Sequence, residues 1–139
     1  MDLQAFATDK RKEENGVWKK LSGSSKVLVA RANNPKYRAA VVKYQKEFCG
    51  PASDFFSPEY EKAIIYAMAE AILLGWENLS IKGKVAEYSI GNAIKALTDY
   101  PDFREVISSI SLEADNYRPE DIAKKSLSTS DGCDAMGKK

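Results

Sequence analysis

The sequence predicts a mainly α fold: a small helical domain of about four helices with an N-terminal β-hairpin and a disordered C-terminal tail. Three observations lead there. Two helix starts are spelled out by a capping residue followed by proline, Asn34-Pro35 and Ser57-Pro58, each ahead of a helix-spaced apolar stripe. The β-branched and aromatic residues that favour strands cluster in one early stretch around a Ser/Gly turn. From Ser126 onward the chain is dominated by Ser, Thr, Asp, Gly and Lys, a composition that does not pack. With 139 residues there is enough chain for one domain with its own core, so residues 1–125 are read as that domain and 126–139 as a flexible tail.

Each element has a local reason. Asp2 to Thr8 can form a single helical turn presenting Leu3 and Phe6, and the charged run that follows ends in the turn signal Asn15-Gly16. Val17–Leu21 and Lys26–Ala30 flank Ser22-Gly23-Ser24-Ser25, which gives a hairpin over about 17–30. A two-stranded hairpin is marginal in water, so it must lie on something helical. The first long helix, about 35–48, carries Tyr37, Val41, Tyr44 and Phe48 on one stripe, with Lys36, Arg38, Lys43 and Lys46 on the wet side. Gly50-Pro51 stops it. The second helix, about 58–76, is apolar nearly all round, and a helix that dry must be surrounded by its own domain or by partner subunits. Asn78 to Tyr88 reads as a polar connection with room for a short strand near Val85. Ser89 caps a third helix, about 89–98, and Tyr100-Pro101 restarts a fourth, about 101–115, with Phe103, Val106, Ile107 and Ile110 as its buried face.

Composition removes whole classes of chemistry. There is no histidine, so His-based nucleophile activation, imidazole acid–base work and His-ligated metals are all excluded. Cys49 and Cys133 belong to no C-x-x-C pair and read as free thiols of a cytosolic chain. The N-terminus has neither the basic nor the apolar region of a secretory signal. The most apolar run, Ala63–Trp76, contains Glu70 and falls short of the roughly 20 apolar residues that span a bilayer, so no membrane partner is expected. Net charge is only +1, yet residues 1–46 hold eleven Lys/Arg against four Asp/Glu, and the rest of the chain carries the balancing negative charge. Such a split marks an interaction surface, or two ends of a protomer that attract each other.

The motifs that suggest chemistry fail on context. Gly132 to Lys138 has phosphate-loop spacing, but Lys139 stands where Ser or Thr belongs and no strand precedes it. Glu59 and Glu61, and Asp99 and Asp102, sit near helix starts, where the backbone dipole accounts for them without a metal. Asp131 and Asp134 lack the remaining ligands of a calcium loop. Lys10-Arg11-Lys12 is followed at once by Glu13-Glu14, so nucleic acid is not the expected partner. No residue group divides the labour of a reaction, and the chain is read as a non-enzyme with no catalytic, metal or cofactor residue. Trp18, Phe55, Phe56 and Trp76 are the aromatics that pack a core or anchor an interface.

Several segments occur in an order that resembles the tail assembly chaperone family of long-tailed, siphovirus-like bacteriophages. They are Phe6–Asp9, Glu13–Trp18, Val27–Arg31, Asn34–Arg38, Ala67–Trp76 and Tyr88–Arg104, and the resemblance covers Leu3 to Tyr117. It implies a non-enzymatic protein that self-associates as a homo-oligomer, binds the phage tape measure protein and helps recruit tail tube protein around it. A longer form made by ribosomal frameshifting is common in such families. It further implies work in the host bacterial cytoplasm and absence from the mature virion. Phe55, Phe56 and Tyr60 are the partner contacts taken from this reading, with the apolar Pro58–Trp76 segment as the surface that an oligomer covers. A head–tail completion or connector protein and a small DNA-binding regulator are the competing assignments.

Overall fold

The computed structural model describes residues 1–50 and 57–120, and it is a mixed α/β domain rather than a mainly α one. Among these residues run five α-helices: α1 (Lys10–Asn15), α2 (Pro35–Cys49), α3 (Pro58–Ala71), α4 (Ile90–Asp99) and α5 (Pro101–Leu112). Five strands accompany them: β1 (Val17–Ser22), β2 (Ser25–Val29), β3 (Leu73–Glu77), β4 (Ser80–Ile81) and β5 (Lys84–Val85). Single 3₁₀ turns occupy Leu3–Phe6 and Ala114–Tyr117. The proposed tail, 126–139, lies outside the described residues, as do Phe55 and Phe56.

The fold class changes because the apolar run after Pro58 divides into two elements. Helix α3 ends at Ala71, and Leu73–Glu77 turns back as a strand. That strand pairs antiparallel with β2, whose other side pairs with β1, so the hairpin is two-thirds of a three-stranded sheet in the order β1-β2-β3. A short continuous apolar run suits a buried strand as well as a buried helix. Here the partner strand decides the outcome.

Register explains the residue choice. Val27 faces Trp76 and Val29 faces Leu73 across the β2–β3 pair, and all four point into the core. Leu73 and Trp76 are three apart and strict alternation would put them on opposite faces. An irregularity at Leu74 inserts one residue and returns both to the inner face. On the outer face, Trp18, Leu28 and Gly75 line up across the three strands. Trp18 stays 45% exposed there, with the Lys26 ammonium 5.2 Å from its ring centre and paired to Glu77 at 3.4 Å.

The core lies between the inner sheet face and the helices. Val27, Val29, Ile65, Met68, Ile72, Leu73, Leu97 and Ile107 are essentially removed from water. Burying an aliphatic side chain of this kind contributes about 1.5–3 kcal/mol. The dryness of α3 is therefore met inside the chain: α2, α4 and β3 pack around it, and Ala63, Ala67, Ala69 and Ala71 let them approach closely. The expectation that partner subunits cover this segment is corrected by that burial. Helix α5 stops at Leu112 rather than near 115, because the chain tightens into the Ala114–Tyr117 turn. The charged run after Asp9 folds as α1, its first turn capped by the Asp9 carboxylate accepting from Arg11 N at 2.9 Å.

Between β3 and α4 the chain makes a tight hairpin. Lys82 and Gly83 adopt φ of 54° and 82°, the left-handed pair of a primed two-residue turn, and bring Lys84-Val85 back onto Ser80-Ile81. This connection is anchored on β3: Trp76 Nε1 donates to Ala86 O at 2.8 Å, and the Tyr88 hydroxyl donates to Leu73 O at 2.8 Å. The rings of Trp76 and Tyr88 meet edge to face at 5.2 Å. No helix among the described residues is long and apolar enough to cross a membrane.

Tyr117 closes the domain from its far end. It is fully buried, its hydroxyl donates to Val29 O at 3.1 Å, and burial pushes its phenol up to about 12 from 10.0. In the unfolded chain the phenol ionises near pH 10, while in the folded chain it stays neutral for about two further pH units. Stability is thus expected to be intact below pH 10 and to fall as pH rises from about 10 toward 12. Tyr117→Phe should cost about 1–2 kcal/mol at neutral pH and flatten that alkaline decline. Urea unfolding at pH 8 to 11.5 checks both; an equally steep decline in the variant contradicts the assignment.

Candidate interaction surface

Helices α2 and α3 form the most extensive helix pair of the domain, and the reason is local at both starts. Asn34 Oδ1 accepts from Tyr37 N at 2.9 Å and Ser57 Oγ accepts from Tyr60 N at 3.1 Å, each with proline in the first helical turn. The stripe of α2 meets α3 only in part. Tyr37, Val41, Tyr44 and Phe48 are half-buried, and Ala40 is the α2 residue that is fully covered.

Near the far end of the pair the aromatics gather. Tyr44 stacks on Phe48 with ring centres 5.8 Å apart, and both set an edge or face against Tyr66 of α3, at 5.5 and 5.0 Å. Lys62 places its ammonium 4.4 Å from the Phe48 ring centre and 5.7 Å from that of Tyr66. Lys43 lies 4.5 Å from the Tyr44 ring centre. Cations over ring faces are held by the ring quadrupole, each worth about 0.5–1 kcal/mol at exposed sites. The result is a half-exposed aromatic surface crowned by two lysines.

One carboxylate organises its edge. Glu70 Oε1 accepts from Lys43 Nζ at 2.9 Å and from the Tyr44 hydroxyl at 2.7 Å. The Lys43 hydrogen bond first, and the Tyr44 bond second, hold the Glu70 carboxyl below its usual range. In return the bond to Glu70 raises both Lys43 and Tyr44. At pH 7 the trio therefore stands as carboxylate, ammonium and neutral phenol.

Beside the start of α3 a cleft of about 460 Å³ is lined by Ser57, Pro58, Tyr60, Glu61, Ile64, Ile65 and Arg104. Arg104 reaches across from α5, pairing through Nη2 with Glu61 Oε2 at 3.0 Å. Burial raises the Tyr37 phenol, and the charge of Tyr60 adds to the effect. Of the residues expected to contact a partner, the structure places Tyr60 in this cleft; Phe55 and Phe56 fall outside the described residues.

The acidic side chains around this surface are mostly engaged by cations or hydroxyls. No group of three or more His, Cys, Asp or Glu able to hold a metal ion occurs among the described residues. Glu61 is paired with Arg104, Glu70 with Lys43 and Tyr44, and Glu13 with Arg31 and the Thr8 hydroxyl. Of the acidic pairs singled out in the sequence, Glu59 and Glu61 lie in the first turn of α3 and Asp102 in that of α5, whereas Asp99 ends α4. Trp76 is core, and Trp18 sits on the outer sheet face rather than in this surface. Sequence reasoning found Tyr44 and Phe48 but not Lys62 and Tyr66. Their signal is the same spacing of four, Lys62 to Tyr66, on the next helix.

What the arrangement can do is bind. Aromatic faces take apolar side chains, and the lysines above them take carboxylates. Replacing Glu70 by Gln tests the edge: Tyr44 should titrate closer to the ordinary phenol value, read from its ring resonances across pH 8.5–11.5. An unmoved Tyr44 titration contradicts the hydrogen-bonded trio.

Comparison with known proteins gives one finding and two blanks. Residues 32–126 match the model of a family described as YdaY prophage protein. No curated protein and no solved structure matches the chain. The matched stretch contains α2 to α5 and the whole aromatic surface, and begins just after β2.

Proposed function

Since the chain belongs to the YdaY prophage protein family, we propose that it acts in phage particle assembly as a non-enzymatic tail assembly chaperone. In this reading it self-associates, binds the tape measure protein in the bacterial cytoplasm, helps recruit tail tube protein, and is left behind by the finished virion. The observation that carries it is the half-exposed Tyr44–Phe48–Tyr66 cluster under Lys43 and Lys62.

The physical match is with a long helical client. A tape measure chain exposes apolar seams flanked by charged residues before the tube closes around it. An aromatic patch shields such a seam, and ammonium groups beside it pair with the acidic flank. The patch is small, which favours weak, reversible contacts, repeated along the client by many copies. Release is then as easy as capture, as a factor absent from the final particle requires. Phe55 and Phe56 precede α3 directly in sequence and extend the aromatic content of the same segment.

Co-expression with the tape measure protein of the same prophage tests the reading. The client should be recovered soluble and bound to the wild-type chain. The double substitution Phe48→Ala, Tyr66→Ala should lower recovery about tenfold or more, as loss of two aromatic anchors would. A client that stays insoluble with the wild type, or binds the double variant equally well, contradicts it.

A further inference from the structure

Two exposed helix faces of this chain are matched in length and opposite in charge. On α2 the residues Lys36, Ala39, Val42, Lys43 and Lys46 face solvent, with Val42 50% exposed between the outer lysines. Their steps of three and four residues place them on one seam about 15 Å long. On α5, Asp102, Glu105, Val106, Ser109 and Leu112 are exposed, Val106 to 43% and Leu112 to 70%, and the exposed C-cap residue Glu113 follows directly. This seam has the same spacing and about the same length. Each has an apolar centre containing one small residue, Ala39 or Ser109, and a charged group at each end.

Lys43 is paired with Glu70, but four of the other charges are unspent within the monomer. Among the described residues, Lys36, Lys46, Glu105 and Glu113 take part in no ion pair. The α2 seam borders the aromatic cluster and shares Lys43 with it, whereas, among the described residues, Lys36, Ala39, Val42 and Lys46 make no ring contact there. The whole chain follows the same division, with the excess of Lys/Arg before residue 47 and the excess of Asp/Glu after it.

From this we infer that the α2 seam of one copy docks against the α5 seam of another. The inference rests on the self-association in the reading above and names the surfaces that perform it. A second copy is the occupant because the chain itself carries both halves: apolar centre against apolar centre, ammonium groups against carboxylates. Like surfaces would repel, α2 on α2 or α5 on α5, so each contact must join unlike faces. Every copy offers one of each, and association closes as a two-fold dimer with two such contacts or as a ring.

Sedimentation velocity across 1–200 µM provides the test. The wild type should associate at 50 mM NaCl and dissociate about tenfold more readily at 500 mM, as the charged rim is screened. Lys36→Glu with Lys46→Glu, and separately Glu105→Lys with Glu113→Lys, should each sediment as a monomer with unchanged circular dichroism. Mixing the two variants in equal amounts should restore association, because each then meets the opposite charge. Association unaffected by both reversals, or by salt, overturns this surface assignment and leaves self-association standing. A wild-type monomer at every concentration overturns both.

Discussion

The structure depends on one short stretch of irregular backbone, Ala30 to Asn34, which leaves the central strand at Val29 and is buried at both ends, Ala30 and Asn34. Buried peptide groups must find partners, and outside regular structure only tertiary contacts supply them. Every neighbour contributes one. Val29 O accepts from the Tyr117 hydroxyl, Ala30 N donates to Ile72 O at 2.8 Å, and Ala32 N donates to Ser111 O at 3.0 Å. Arg31 N donates to Glu13 O at 2.8 Å while its guanidinium pairs with the Glu13 carboxylate. Asn34, 2% exposed, donates from Nδ2 to Arg31 O and to Ala71 O and accepts at Oδ1 from the first turn of α2. One side chain thereby ties the start of α2 to the end of α3. Through this stretch α1, the sheet, α3, α5 and the C-terminal 3₁₀ turn are fixed relative to one another.

That constraint also separates what was legible in the sequence from what was not. Helix starts are local events: Asn34-Pro35, Ser57-Pro58 and Ser89 carry their own hydrogen-bond acceptors, and α2, α3 and α4 begin at Pro35, Pro58 and Ile90. The third strand is not local. Leu73 to Glu77 continues the apolar pattern of α3, and only pairing with β2, together with the inserted Leu74, turns it into a strand. The mainly α expectation failed at that point. In the candidate surface, the α2 stripe was readable from its period. Lys62 and Tyr66 share a helix face by their spacing of four, but that spacing does not tell that this face meets the α2 stripe.

The same packing redistributes the chain's surfaces. A helix as apolar as α3 looked like an oligomer contact, yet its own domain covers it. The surfaces left exposed are less greasy: an aromatic cluster tempered by lysines and two seams with short apolar centres. The family match begins at Ala32, so β1 and β2 lie outside it, although Val27 and Val29 are fully buried in the shared core. In this chain the strands preceding the matched region complete the structure within it.

The proposed role is binding, with the α2–α3 aromatic surface as the proposed place where a client is held. Hydrogen–deuterium exchange of the chain alone and with bound tape measure protein addresses it most directly. The account predicts added protection in Lys43–Phe48 and in the first half of α3, with the sheet strands unchanged. Protection confined to β1–β3, or none anywhere on α2 and α3 in the complex, contradicts it.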